Sequence, residues 1–155
     1  MKTGQMPLIL DTNIVLDLFV FNDPEVALLK TALLAHELNW IATPDMRIEL
    51  ARVLTYPKIV PRMAFYQVTA ADVLGKFNQL ATLVAPAPKA PWLCKDPDDQ
   101  RFIDLAVQHK ATLLSKDQAV LCMAKRLLTA GAVVQKTSNF TASSLFTLFT
   151  PQIDI

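Results

Sequence analysis

The chain has 155 residues, a formal net charge of +1 at neutral pH and 52% hydrophobic residues. That length reads as a single domain over residues 1–155, able to bury a core without disulfides or a structural metal. No window reaches the uncharged length of about 20 residues that a membrane span needs, and near-neutral charge leaves room only for a local phosphate-binding patch.

Residues 1–5 carry no apolar signal region, so the expectation is a cytoplasmic protein with no membrane contact. Residues 8–10 are an apolar run that stops at Asp11, and Asn13 opens a helix through Leu18. Asp23-Pro24 starts a longer helix, since Asp caps and Pro suits the first helical position. Residues 39–42 read as a second strand. Thr43-Pro44 begins the next helix, which runs to about Thr55. Residues 61–81 are helical in pattern, in one or two pieces, with Thr69 a good N-cap for the second. Leu83-Val84 is a candidate third strand. Residues 85–91 hold three prolines and must be a surface loop. Asp96-Pro97 starts a helix to about His109, residues 111–114 are a strand, and residues 118–128 a helix. Residues 132–134 are a last strand, and residues 141–149 suggest a terminal helix. Strands alternating with helices in this way imply a mostly parallel sheet covered on both faces.

Several motifs can be set aside. The three glycines stand in no dinucleotide or P-loop setting, whose backbones need glycine for close approach to phosphate. Cys94 and Cys122 have neither CxxC nor Cys/His spacing, which argues against structural zinc and for reduced thiols. His36 and His109 fall near helix ends, where a dipole or surface role accounts for them.

The acids carry more information. Asp11 lies just past the C-terminal end of a strand, where ligands bind in open α/β sheets. Asp alone there is also an ordinary N-cap. Asp117, after the apolar run 112–114, repeats the arrangement. Glu49 shares the apolar stripe of Met46, Leu50 and Val53, with Arg47 and Arg52 on the other side; the plain alternative is a Glu that pairs with an arginine. Asp99 shares the inner face of Phe102 and Ile103. Asp96 and Asp98 are accounted for by capping and the helix dipole, and Asp104 points to solvent. Capping does not explain the joint pattern of two strand-end acids and two inward-facing ones. Four carboxylates in one crevice repel unless a cation sits among them, and hard oxygen ligands suit Mg²⁺ or Mn²⁺.

Asp11-Thr12-Asn13, Glu49-Leu50-Ala51-Arg52-Val53-Leu54, Asp96-Pro97-Asp98-Asp99-Gln100-Arg101-Phe102 and Ser115-Lys116-Asp117 together resemble the PIN-domain ribonucleases. The likeness covers residues 8–134 and is nearest to the bacterial branch regarded as toxins of toxin–antitoxin pairs. It implies a three-layer α/β/α sandwich and a Mg²⁺ or Mn²⁺ site of four acids, Asp11, Glu49, Asp99 and Asp117. It also implies endonucleolytic RNA cleavage, an antitoxin protein as inhibitory partner, and a homodimer. Asn13 and Ser115 match supporting positions. Gln100 stands where an acid is common, and Lys116 replaces a small residue. Lys116 could pair with a carboxylate or touch phosphate, and Asp17 reads as a peripheral extra acid. Arg47, Arg52 and Lys95 are candidates for RNA backbone contacts. The competing reading is a binding or scaffold module of the same fold with weak or no nuclease activity. A phosphatase with an Asp-x-Asp nucleophile motif does not fit, because Asn13 occupies the place of the second Asp.

Overall fold

The structure, a computed structural model, describes residues 6–140; the helix expected over 141–149 lies outside them. Its centre is a five-stranded, wholly parallel sheet. The strands are β1 (Pro7–Leu10), β2 (Asn39–Ala42), β3 (Thr82–Leu83), β4 (Thr112–Leu114) and β5 (Val133–Gln135), in the order β3-β2-β1-β4-β5. Helices flank the sheet, giving the α/β sandwich that the alternation of elements predicts. β1 and β4 read as unbroken apolar runs because both faces are covered: Leu8, Ile9, Leu10, Leu113 and Leu114 are all buried.

The helices obey cap-and-proline grammar. α1 (Thr12–Phe19) follows β1 directly. A 3₁₀ turn at Pro24–Val26, capped by Asp23, leads into α2 (Ala27–Leu34). Thr43 caps α3 (Pro44–Val53). α4 (Val60–Phe65) precedes α5 (Ala70–Leu80), and Thr69 with Asp72 forms a full capping box on α5. Trp40 on β2 is the largest fully buried side chain, stacked on Phe19 at 6.5 Å and edge-on to Phe77 at 5.2 Å. It locks α1 and α5 to the sheet.

After a 3₁₀ turn at Pro97–Asp99 come α6 (Gln100–His109), then α7 (Gln118–Leu121), α8 (Ala124–Leu128) and α9 (Thr137–Phe140). The single helix expected over 118–128 is therefore two. The Met123 N–H reaches only three residues back, to the Val120 carbonyl at 3.0 Å. That tightened turn breaks the ladder while Val120, Met123 and Leu127 all stay buried.

Asp104, expected to point to solvent, does not. Its Oδ1 accepts from the Ala90 N–H and from Gln100 Nε2, both at 2.8 Å. Gln100 also accepts from the Cys94 N–H at 2.7 Å and donates to the Trp92 carbonyl at 3.0 Å. The proline-rich loop is thus a strap. Its backbone groups need partners that no sheet supplies, and two side chains of α6 provide them.

Candidate metal centre

The chain passes from β1 to β2 and β3 on one side and returns through β4 and β5 on the other. β1 and β4 are neighbours, in register Leu8 to Thr112 and Leu10 to Leu114. Two parallel strands whose connections leave in opposite directions open a crevice at their C-terminal ends. Both of the acids that follow these strands stand there.

Pairing runs one residue past the strands, with the Asp11 N–H on the Leu114 carbonyl at 3.0 Å and the Ser115 N–H on the Gln135 carbonyl at 3.2 Å. Asp11 and Ser115 are therefore brought face to face. Ser115 is wholly buried; its hydroxyl donates to Asp11 Oδ2 at 2.7 Å and accepts from the Asp117 N–H at 3.0 Å. Asp117 also caps α7, accepting from the Ala119 N–H through Oδ1 at 3.0 Å. Asp11 opens α1 without a side-chain capping bond, so capping leaves its carboxylate unexplained.

Asp99 arrives from across the cleft. Asp96 caps its 3₁₀ turn through the Asp98 N–H at 3.0 Å, which aims Asp99 inward, where it is 8% exposed. Ligand oxygens of Asp11, Asp99 and Asp117 all lie within 4.8 Å of one another. Asp99 Oδ2 is buried with no hydrogen-bond partner.

The electrostatics follow from that crowding. Burial, then the hydrogen bond to Asp117 and the charges of Asp11, Asp117 and Asp96, push the Asp99 carboxyl up to about 8. Burial also raises Asp11, aided by the Asp117 charge; the Ser115 hydroxyl and the nearby Thr12 and Asn13 N–H groups temper the rise. A cluster that resists ionisation when alone, and holds an orphaned oxygen, fits a hard divalent cation.

The other predicted residues divide. Glu49 lines the same cleft of about 160 Å³, with Asn13, Asp96 and Asp98 at its edge and Val53 and Phe102 as apolar wall. It is not one of the three clustered acids, because its Oε2 is held by Arg52 Nη1 at 2.9 Å. Arg52 accordingly does not sit on the opposite side of α3: three residues on, it folds back over Glu49. Arg47 is turned to α5, where its Nε donates to Asn78 Oδ1 at 2.8 Å. Lys95 is exposed and, like Arg47, is not among the residues lining the cleft.

Lys116 pairs with Asp17, at 2.9 and 2.8 Å to its two oxygens. Asp17 stands outside the acidic cleft, but it is buried and ties α1 to the turn after β4. The signal was present in its spacing, three residues beyond the buried Ile14.

A three-layer α/β sandwich with an acidic cleft at its topological switch point defines the class. The family model of the PIN domain matches residues 7–119, from β1 into α7, and the chain belongs to that family. Its members are typically metal-dependent nucleases, and the three clustered aspartates could hold a metal ion. Searches of curated proteins and of solved structures returned no match. No described helix is long and apolar enough to cross a membrane.

Proposed function

We propose that the protein is an endoribonuclease that hydrolyses RNA phosphodiester bonds with Mg²⁺ or Mn²⁺. The observation that carries this reading is the unpartnered Asp99 Oδ2 among three carboxylates that repel one another without a cation. Asp11, Asp99 and Asp117 would hold the metal, with Glu49 as a fourth acid at the rim. Bound there, it supplies a Lewis acid that eases ionisation of water and offsets charge on a phosphate under in-line attack. Ser115 fixes the relative positions of Asp11 and Asp117. Val53 and Phe102 keep one side of the cleft dry, and Asn13 stands exposed at its mouth with an amide that can donate to phosphate oxygen. Lys95 is an exposed cation for the RNA backbone; Arg52 is exposed but paired with Glu49, and Arg47 donates to Asn78.

In biological terms the reading is a single unit over residues 1–155, homodimeric, cytoplasmic, and the toxin of a toxin–antitoxin pair whose partner protein inhibits it. The test is thermal melting of wild type and Asp11→Asn in EDTA and in Mn²⁺, followed by cleavage of single-stranded and structured RNA. A ligand that binds only the folded state stabilises it by about 2.7 kcal/mol at a hundredfold excess over its dissociation constant, and so raises the melting temperature. Mn²⁺ should stabilise wild type alone, and only wild type should cut RNA.

The Glu49–Arg52 ion pair favours a second reading, in which the fourth acid is neutralised and the domain binds without cutting. Stabilisation by Mn²⁺ with no RNA cleaved would select it. No response to millimolar Mn²⁺ would sink the metal site in both.

A further inference from the structure

Two thiols far apart in sequence meet on one carbonyl. Cys94 Sγ and Cys122 Sγ each donate to the Ala119 oxygen at 3.4 Å, so the sulfurs are at most twice that distance apart. Cys94 ends the strap, buried, its N–H held by Gln100. Cys122 closes α7 and is exposed. We propose that Cys94 and Cys122 form a reversible intramolecular disulfide, which ties the strap ahead of Asp99 to the helix behind Asp117. The residues it brackets include Asp99, Ser115 and Asp117, so the bond would staple two walls of the acidic cleft. This inference does not rest on nuclease activity.

The oxidant is a small-molecule disulfide such as glutathione disulfide. The Cys122 thiolate, open to solvent, attacks one of its sulfurs, forming a mixed disulfide and releasing one glutathione thiolate. Cys94, as thiolate, then attacks Cys122 Sγ; the mixed bond breaks and the second glutathione leaves. The protein loses two electrons and two thiol protons, and both glutathiones leave reduced. Exposure sets this order. Cys122 is open to the oxidant, whereas Cys94 is buried and meets only the sulfur brought to it.

The final bond needs sulfurs about 2.05 Å apart, with α-carbons within about 6.8 Å. Rotation of the exposed Cys122 side chain and a small inward shift of the strap would supply the closure. Once made, the cross-link removes freedom from the unfolded chain.

The experiment treats the reduced full chain with glutathione disulfide, blocks remaining thiols by alkylation, and reads intact mass, peptide map and melting temperature. The expected product is a monomer lighter by two hydrogens, with no alkylated cysteine and one peptide joining Cys94 to Cys122. Its melting temperature should rise by roughly 5 °C or more. Cys94→Ala should stop at the glutathione adduct on Cys122, and Cys122→Ser should melt like reduced wild type. The proposal is overturned if wild type also stops at the adduct, if the bond joins two chains, or if both thiols still alkylate. An unchanged melting temperature in the cross-linked monomer would overturn the stapling role.

Discussion

The Ser115 hydroxyl is the pivot of the acidic cluster, because it orients a side chain on one neighbour and a backbone N–H on the other. Ser115→Ala leaves Asp11 Oδ2 and the Asp117 N–H without that partner in a buried place. A loss of about 1–3 kcal/mol is expected from unmade buried hydrogen bonds, read by urea unfolding, together with a smaller Mn²⁺-induced rise in melting temperature. Asp99→Asn should do the reverse to the metal-free protein. It removes a carboxylate that Asp11, Asp117 and Asp96 all disfavour, so melting in EDTA at about pH 8 should rise while the response to Mn²⁺ disappears. A variant that loses stability in EDTA would show the Asp99 carboxylate to be a structural partner instead.

Among the elements, the strap depends on α6 through Gln100. That side chain satisfies the Cys94 N–H and the Trp92 carbonyl and braces Asp104, which in turn holds the Ala90 N–H. Gln100→Ala should cost about 1–3 kcal/mol and speed hydrogen exchange at Ala90 and Cys94, leaving the β1 and β4 amides slow. Uniform acceleration along the chain would count against a local role. Here the limits of reading from sequence are plain. Thr69, Thr43 and Asp23 announce their helices because caps act within four residues. Asp104 and Gln100 satisfy backbone groups some six to fourteen residues away, and no local rule points to them. Glu49 shows the same limit differently. Its stripe position turns it toward the cleft that it lines, but rotamer choice, which spacing does not encode, gave its oxygen to Arg52.

For the molecule as a whole, the raised Asp99 and Asp11 carboxyls set the dependence of stability on pH. An acid whose folded pKa exceeds its unfolded one holds its proton longer in the native state, so stability falls as pH rises. For Asp99 the window runs from its ordinary 3.8 to about 8. Metal-free protein should therefore lose stability progressively across that range, and saturating Mn²⁺ should flatten or reverse the slope, as followed by melting temperature against pH. A metal-free profile that climbs through neutrality would contradict the crowding of the cluster. The centre of the sheet was legible because the buried parallel strands β1 and β4 leave apolar runs, whereas the exposed edge strand β3 leaves none. The convergence of Asp11, Asp99 and Asp117 was legible only as an excess of acids that capping did not absorb, since their separation depends on β1 lying beside β4.

That adjacency bears on how the protein comes into being. The strand carrying Asp11 is made early and its neighbour β4 late, with two other strands and six of the helices between them. As the ribosome delivers the chain from its N-terminus, β1 can pair with β2 long before Ser115 and Asp117 emerge. Loop closure over so many residues is slow, and the acids do not gather until it is done. A nascent chain halted anywhere before β4 carries no assembled centre, so translation itself times the onset of whatever chemistry the cleft performs.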